Sequence, residues 1–376
     1  MKKLISIVFL FTMLGQARAA PFAYIPNAAH NNVSVIDIAD NRVVSTLAVG
    51  RAPTAVAVSP DGSKVYVANF SSNSMSVIDA NTRSVTEVQN IDDLVNTLAV
   101  SPDGTRIYVT GELGHIFQVD AASLAVTRIT QVLPGMNTPK GMAVSPDGGT
   151  LYLSDQRANA VAFINTASHV VTRVPVGRIP AGLAINQDGT RVYVANFDSD
   201  TISIIDTTTQ SVITNVSVGR NPTGIAVSPD GTQVYVTNQF SDTVSVIDTN
   251  NNYFVTDVTV GNRPFGVALT PDGSRVYVAN SGSNTVSVID PTQPAVTENI
   301  AVGQSPIAFG KFIVPRADLS GSLLGFRTTD KLLCQNLTTR QNVNLNNPGK
   351  RWDCQKAGLV VHVGDQVSVT LKGTSR

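Results

Sequence analysis

An all-β fold is what this 376-residue sequence predicts: a seven-bladed β-propeller with a small C-terminal β-rich extension. Three observations carry the prediction. Tyr24, Tyr66, Tyr108, Tyr152, Tyr193, Tyr235 and Tyr277 are separated by 42, 42, 44, 41, 42 and 42 residues. The segment Val33 to Asp37, VSVID, returns in related form at six further places, ending at Val286 to Asp290. Six Asp-Gly pairs, from Asp61-Gly62 to Asp272-Gly273, precede tyrosine strands, and Asp-Gly supplies the positive φ that tight hairpins need. Units of this length, alternating apolar and polar residues, cannot bury a face alone and must stack on their neighbours. Closing the stack into a ring leaves only short, protected sheet edges, whereas an open solenoid would need capping repeats.

One unit is readable in full from Pro222 to Gly261: strands over Ile225 to Val227, Gln233 to Asn238, Thr243 to Asp248 and Phe254 to Gly261. Small residues recur in the first strands at Ala57, Ala99, Ala143, Ala184, Ala226, Ala268 and Gly310. They are expected where those strands approach one another, with Val56, Leu98, Met142, Leu183, Ile225, Val267 and Phe309 on the opposite face. The first unit begins at Tyr24 without a first strand, and Gly303 to Gly310 resembles the missing piece. A late strand near 306–312 is therefore expected to complete blade 1, giving a propeller domain over 21–312.

Residues 1–20 read as a secretory signal, with Lys2 and Lys3 before the apolar run Leu4 to Leu14 and small residues at Ala17 and Ala19. The run is short for a membrane span, and no later stretch is long and apolar enough to be one. The expected location is therefore exported: periplasm, cell surface or medium. With 27 Lys+Arg against 27 Asp+Glu, the chain lacks the basic excess of a nucleic-acid binder.

The second strands Tyr193-Val194-Ala195-Asn196 and Tyr235-Val236-Thr237-Asn238 carry a further resemblance. Over roughly residues 22–312 the chain resembles the YVTN-repeat seven-bladed β-propeller family. That resemblance implies an exported or cell-surface binding propeller, while related propellers also serve as enzymes and redox proteins.

Strand direction places two loop classes on one end of the ring. The loops entering the first strands hold Arg51, Lys140, Arg178, Arg220 and Arg263; those joining second to third strands hold Phe70, Phe197, Phe240, Asp200 and Asp242. Arginine forks bind carboxylate or phosphate, and aromatic rings bury contact area. These ten residues are the expected partner-binding face for a protein or envelope-surface partner. The reading is of a non-enzymatic, monomeric scaffold; its alternative is a small-molecule hydrolase of the lactonase-like propeller type. Repeated Asn69, Asn196, Asn238 and Asn280 are expected to cap turns. No catalytic set, metal set or cofactor motif is read; His30 and His115 fall in corresponding loops without further ligands.

Beyond Phe312 the repeat stops. The extension 313–376 holds both cysteines, Cys334 and Cys354, for which export makes a disulfide plausible chemistry. Short strands are expected over Lys331 to Cys334, Leu359 to Val363 and Gln366 to Leu371.

Overall fold

A computed structural model describes residues 22–314, except 90 and 131–138, and five short strands of the C-terminal region. Seven sheets surround an axis. Blades 2 to 7 each have four antiparallel strands, hydrogen-bonded in chain order. Blade 6 is representative, with Pro222–Val227, Gln233–Asn238, Thr243–Asp248 and Phe254–Thr259. The first strands of neighbouring blades lie against one another around the axis.

Blade 1 is assembled from both ends of the ring. Its own strands are Phe22–Asn27, Asn32–Asp37 and Arg42–Ala48. The segment 305–314 runs beside the first of them: Tyr24 N–H donates to the Phe312 carbonyl at 2.8 Å, Ile307 N–H to Pro26 at 2.9 Å and Val314 N–H to Phe22 at 2.9 Å. The bridges Asn27 to Pro306 and Ala23 to Ile313 frame this pairing.

The repeated tyrosines hold the blades together. All seven are buried, and each that falls in a shared core packs with residues of the following blade: Tyr193 with Val234 and Val236, Tyr235 with Val267 and Val276. Burying a large apolar side chain stabilises by about 1.5–3 kcal/mol, so a ring of such anchors outweighs any single loop contact.

Two details differ from expectation. The closest approach between inner strands falls at Gly141, Gly182, Gly224 and Gly266, two residues before the alanine positions. A Cβ on Gly182 would lie 2.3 Å from the Thr223 carbonyl oxygen, and one on Gly266 1.8 Å from that of Ala308. Ala143, Ala184 and Ala226 are only half-buried. In the Asp-Gly turns, only the glycine takes positive φ, from 70° at Gly62 to 76° at Gly189. The aspartate instead accepts from a neighbouring hydroxyl, as Asp230 does from Ser228 at 2.6 Å. Asp37, Asp206, Asp248 and Asp290 accept backbone N–H groups of the turns that follow the third strands.

Pro21–Pro315 forms one compact unit; Arg316–Arg376 groups apart from it. The described strands there are Ser320–Ser322, Lys331–Asn336, Asn342–Leu345, Arg351–Asp353 and Val367–Lys372. The signal segment, Cys354 and the strand expected over Leu359 to Val363 lie outside the described residues. No helix among the described residues is long and apolar enough to cross a membrane.

Candidate active site at the rim of blades 3 and 4

Each second strand ends in a buried polar slot beneath the rim. In five blades an asparagine fills it: Asn27, Asn69, Asn196, Asn238 and Asn280, all fully buried. Asn238 Nδ2 donates to Thr243 Oγ1 at 3.0 Å and to Ser245 Oγ at 2.8 Å, and Ser245 Oγ donates onward to Asp257 at 2.6 Å. The relay recurs from Asn196 through Ser203 to Asn215 and from Asn280 through Ser287 to Asn299. These asparagines thus tie the strands of a blade together, a correction to the turn-capping expectation. The incoming loop crosses so closely that a Cβ on Gly219 would fall 2.7 Å from the Asn238 side chain.

Blades 3 and 4 break the pattern with charge. In blade 4 the slot holds Asp155, and the two hydroxyl positions are Ala160 and Ala162. Arg173 from the fourth strand reaches across them, its Nε 3.2 Å from Asp155 Oδ2. In blade 3 the slot residue is Gly111, and the vacated volume is taken by Asp93 from the incoming loop: a Cβ on Gly111 would lie 2.2 Å from Asp93 Cγ. The Asp93 side chain is 1% exposed; it accepts Leu94 N–H at 2.8 Å and Leu113 N–H at 3.2 Å. His115 Nδ1 stands 3.3 Å from Asp93 Oδ2, with the ring 23% exposed and edge-on to Phe117.

Lys140 is half-buried in the segment leading into blade 4 and lines the top of the axial cavity. Burial pushes its amine below the ordinary 10.5, and the negative charge of Glu112, next to the Asp93 slot, opposes that shift. The cavity it lines with Met142, Leu183 and Phe309 offers about 20 Å³, room for about one water.

The ten residues expected to bind a partner are placed on this end, and most are engaged in holding it. Arg178 donates to the Asp198 carbonyl at 3.2 Å and pairs with its carboxylate at 3.1 Å. Arg220 donates to the Phe240 carbonyl at 2.8 Å, Arg51 to that of Ser71 at 3.1 Å. The backbone N–H of each is received by a serine hydroxyl, Ser72, Ser199 or Ser241. Asp200 and Asp242 accept the N–H of Asn221 and Arg263, each in the next blade, at 2.8 Å. Arg263 lies over the ring of Phe240, 5.9 Å from its centroid, while Phe70 and Phe197 are half-buried with their N–H groups bonded to Ala52 and Ile179. Lys140 donates its N–H to Ser154 Oγ, the residue before Asp155, and feels the charge of Glu112. His30 accepts Gln304 N–H across the closure of the ring.

Asp93, Glu112, Asp155 and Arg173 went unread in the sequence. Their signal is a departure from the repeat: Gly111-Glu112-Leu113-Gly114-His115 stands where blade 5 reads Asn196-Phe197-Asp198-Ser199-Asp200. Among the described residues, no three His, Cys, Asp or Glu side chains are placed to share a metal ion.

Two family models match this chain. One describes a lactonase, 7-bladed β-propeller, over residues 96–212, which spans blades 3 and 4 and most of blade 5; the other describes a YNCE-like β-propeller over 184–272. The fold is thus a seven-bladed propeller related to lactonase and YNCE-like families, a broader kinship than the YVTN-repeat resemblance alone. No curated protein matches in sequence. Among solved structures, Kuenenia stuttgartiensis hydrazine synthase superposes with a TM-score of 0.65 at 23% identity, covering 74% of this chain and 98% of its own. A Bacteroides fragilis protein provisionally assigned as a 6-phosphogluconolactonase gives 0.61 at 17%, covering 78% and 98%. Staphylococcus aureus virginiamycin B lyase gives 0.59 at 17%, covering 69% and 89%. The match to the lactonase propeller model overturns the expectation of a non-enzymatic recognition scaffold. In the loops, Arg51, Arg178 and Arg220 each donate to a carbonyl of their own blade while their side chains stay exposed.

Proposed function

We propose that this protein is an exported small-molecule hydrolase of the lactonase-like propeller type, acting at the rim of blades 3 and 4. The observation that carries the reading is the buried Asp93 carboxylate behind His115, in the slot that blade 3 vacates by placing Gly111 at the asparagine position. The Asp93 carboxylate lies 3.3 Å from Nδ1, without a hydrogen bond, and places negative charge beside the ring, while Nε2 is left to act as a base. As the oxygen of a water bonds to the lactone carbonyl carbon, its proton passes to Nε2. The ring C–O bond then breaks, and the imidazolium returns the proton to the departing alkoxide, so that one water is added overall. Lys140 supplies positive charge toward the developing oxyanion. Residues 1–20 support export, to the periplasm, the cell surface or the medium.

The test is turnover of a panel of five- and six-membered lactones by the purified full chain. His115→Asn is expected to lower kcat/KM by about 100-fold or more with an unchanged melting temperature, whereas His30→Asn leaves turnover intact. Absence of turnover across the panel, or full activity in the His115 variant, would overturn the reading.

A further inference from the structure

A groove of about 380 Å³ opens on the flank of blade 5, between the segment that enters it from blade 4 and the blade's third and fourth strands. Its volume falls within the range of about 300–1,000 Å³ that small-molecule sites occupy. Pro175, Val176 and Val212 line it with apolar surface, and Ser199, Thr201 and Asn215 with polar atoms. None of these six residues belongs to the charged slots of blades 3 and 4.

The hydrogen bonds of the three polar residues leave them with one kind of capacity. Ser199 Oγ accepts Arg178 N–H at 2.8 Å, Thr201 Oγ1 accepts from Asn196 Nδ2 at 3.1 Å, and Asn215 Oδ1 accepts from Ser203 Oγ at 2.7 Å. Each oxygen already accepts from the protein, whereas the Ser199 and Thr201 hydroxyl protons and the Asn215 amide protons meet no acceptor among the described residues. Related positions in other blades are occupied differently. In blade 7 Ser283 and Thr285 bond to each other at 3.1 Å, and in blade 2 Ser74 donates to Glu87. In blade 6 the place of Asn215 is taken by Asp257, a carboxylate. The groove of blade 5 is lined by no charged side chain, and the flanking Arg178 and Asp198 neutralise each other at 3.1 Å.

An occupant matched to this surface is uncharged, offers acceptor oxygens at its edge and has C–H groups to lay on apolar side chains. A pyranose ring meets all three requirements. We propose that the groove binds a neutral sugar ring. Its C–H face rests on Val176 and Val212, its oxygens accept from Asn215 Nδ2 and from the Ser199 and Thr201 hydroxyls, and its own hydroxyl protons turn to solvent at the open side. The site is independent of the proposed hydrolase.

The test uses the purified full chain with the methyl β-glycosides of glucose, galactose and N-acetylglucosamine as probes, and methyl β-glucuronide as their charged counterpart. Saturation-transfer NMR is expected to show ring C–H signals from at least one neutral glycoside and weaker ones from the glucuronide. Asn215→Asp is expected to lower the affinity for that neutral glycoside about tenfold, by replacing a donor with a charged acceptor. Blade 6 already receives a serine hydroxyl on an aspartate at this position, so the variant is expected to keep the parent melting temperature. In the parent protein, the bound glycoside is expected to slow hydrogen exchange in peptides covering 176–179 and 199–201. Silence from all three neutral glycosides, equal signals from the glucuronide, or binding undiminished in Asn215→Asp would overturn the proposal. So would slowed exchange confined to other blades.

Discussion

Blades 4 and 5 share a four-strand plan, a buried tyrosine and a polar slot at the end of the second strand, and they differ in how the slot is satisfied. Blade 5 uses a neutral relay, Asn196 to Ser203 to Asn215; blade 4 replaces all three members together with Asp155, Ala162 and Arg173. Blade 3 goes further and empties its own slot so that a loop carboxylate with an imidazole can occupy it. A repeat makes the backbone cheap to specify, since each blade need only satisfy its neighbours. Chemistry then shows as the place where the repeated solution is abandoned. The lactonase match covers blades 3 and 4 and most of blade 5, overlapping the YNCE-like match, which begins within the first strand of blade 5.

Several substitutions would break or sharpen that contrast. The largest effect is expected from Arg173→Met, which strands the buried Asp155 carboxylate and should cost about 2–4 kcal/mol in denaturant unfolding. Rewriting blade 4 in the style of blade 5, with Asp155→Asn, Ala160→Thr, Ala162→Ser and Arg173→Asn together, should return the stability to within about 1 kcal/mol. A rewritten blade as unstable as the single variant would mean that the slots are not interchangeable. In a neutral slot, Asn238→Ala should cost about 1–2 kcal/mol, through the two hydrogen bonds to Thr243 and Ser245.

Acid provides a gentler probe. The Lys64 ammonium, followed by the Thr82 N–H, holds the Asp79 carboxyl at about 2, below its ordinary 3.8. A depressed folded value favours the folded state above about 3.8, and that contribution is lost as pH falls through about 2. The pair is partly exposed, so the gain is small. Melting temperatures between pH 5 and 2 should fall less steeply in Lys64→Met than in the parent, and parallel curves would remove Lys64 as the cause.

The smallest expected effect is a gain. Ile179 sits at φ +52° in the loop entering blade 5, a left-handed conformation that a β-branched residue resists, while blade 6 places Asn221 there at +54°. Ile179→Asn should stabilise by about 0.5–1 kcal/mol, visible as a higher denaturant midpoint with an unchanged slope.

The ring was legible because its determinants are local and repeated: tyrosine spacing, strand alternation and Asp-Gly turns can each be read within one blade. The axial glycines were harder to read. Gly182 and Ala184 are two residues apart and share a strand face, so alternation ranks them equally, and only distance from the axis separates them. The charged slots were hardest. Asp93 takes over the place of a side chain belonging 18 positions later in the chain, and nothing near Asp93 itself announces this. It becomes visible when Gly111 is read as an asparagine that is missing.

The clasp in blade 1 has a mechanical corollary. Its two chain segments run antiparallel and leave the propeller from the same end, at Phe22 and Val314. Tension applied through the two termini would open the backbone bonds singly, like a zip, starting from Val314 N–H and Phe22, while the bonds of the other six blades carry no load. Forced unravelling should therefore begin at low force and proceed from the seam inward, releasing one blade after another.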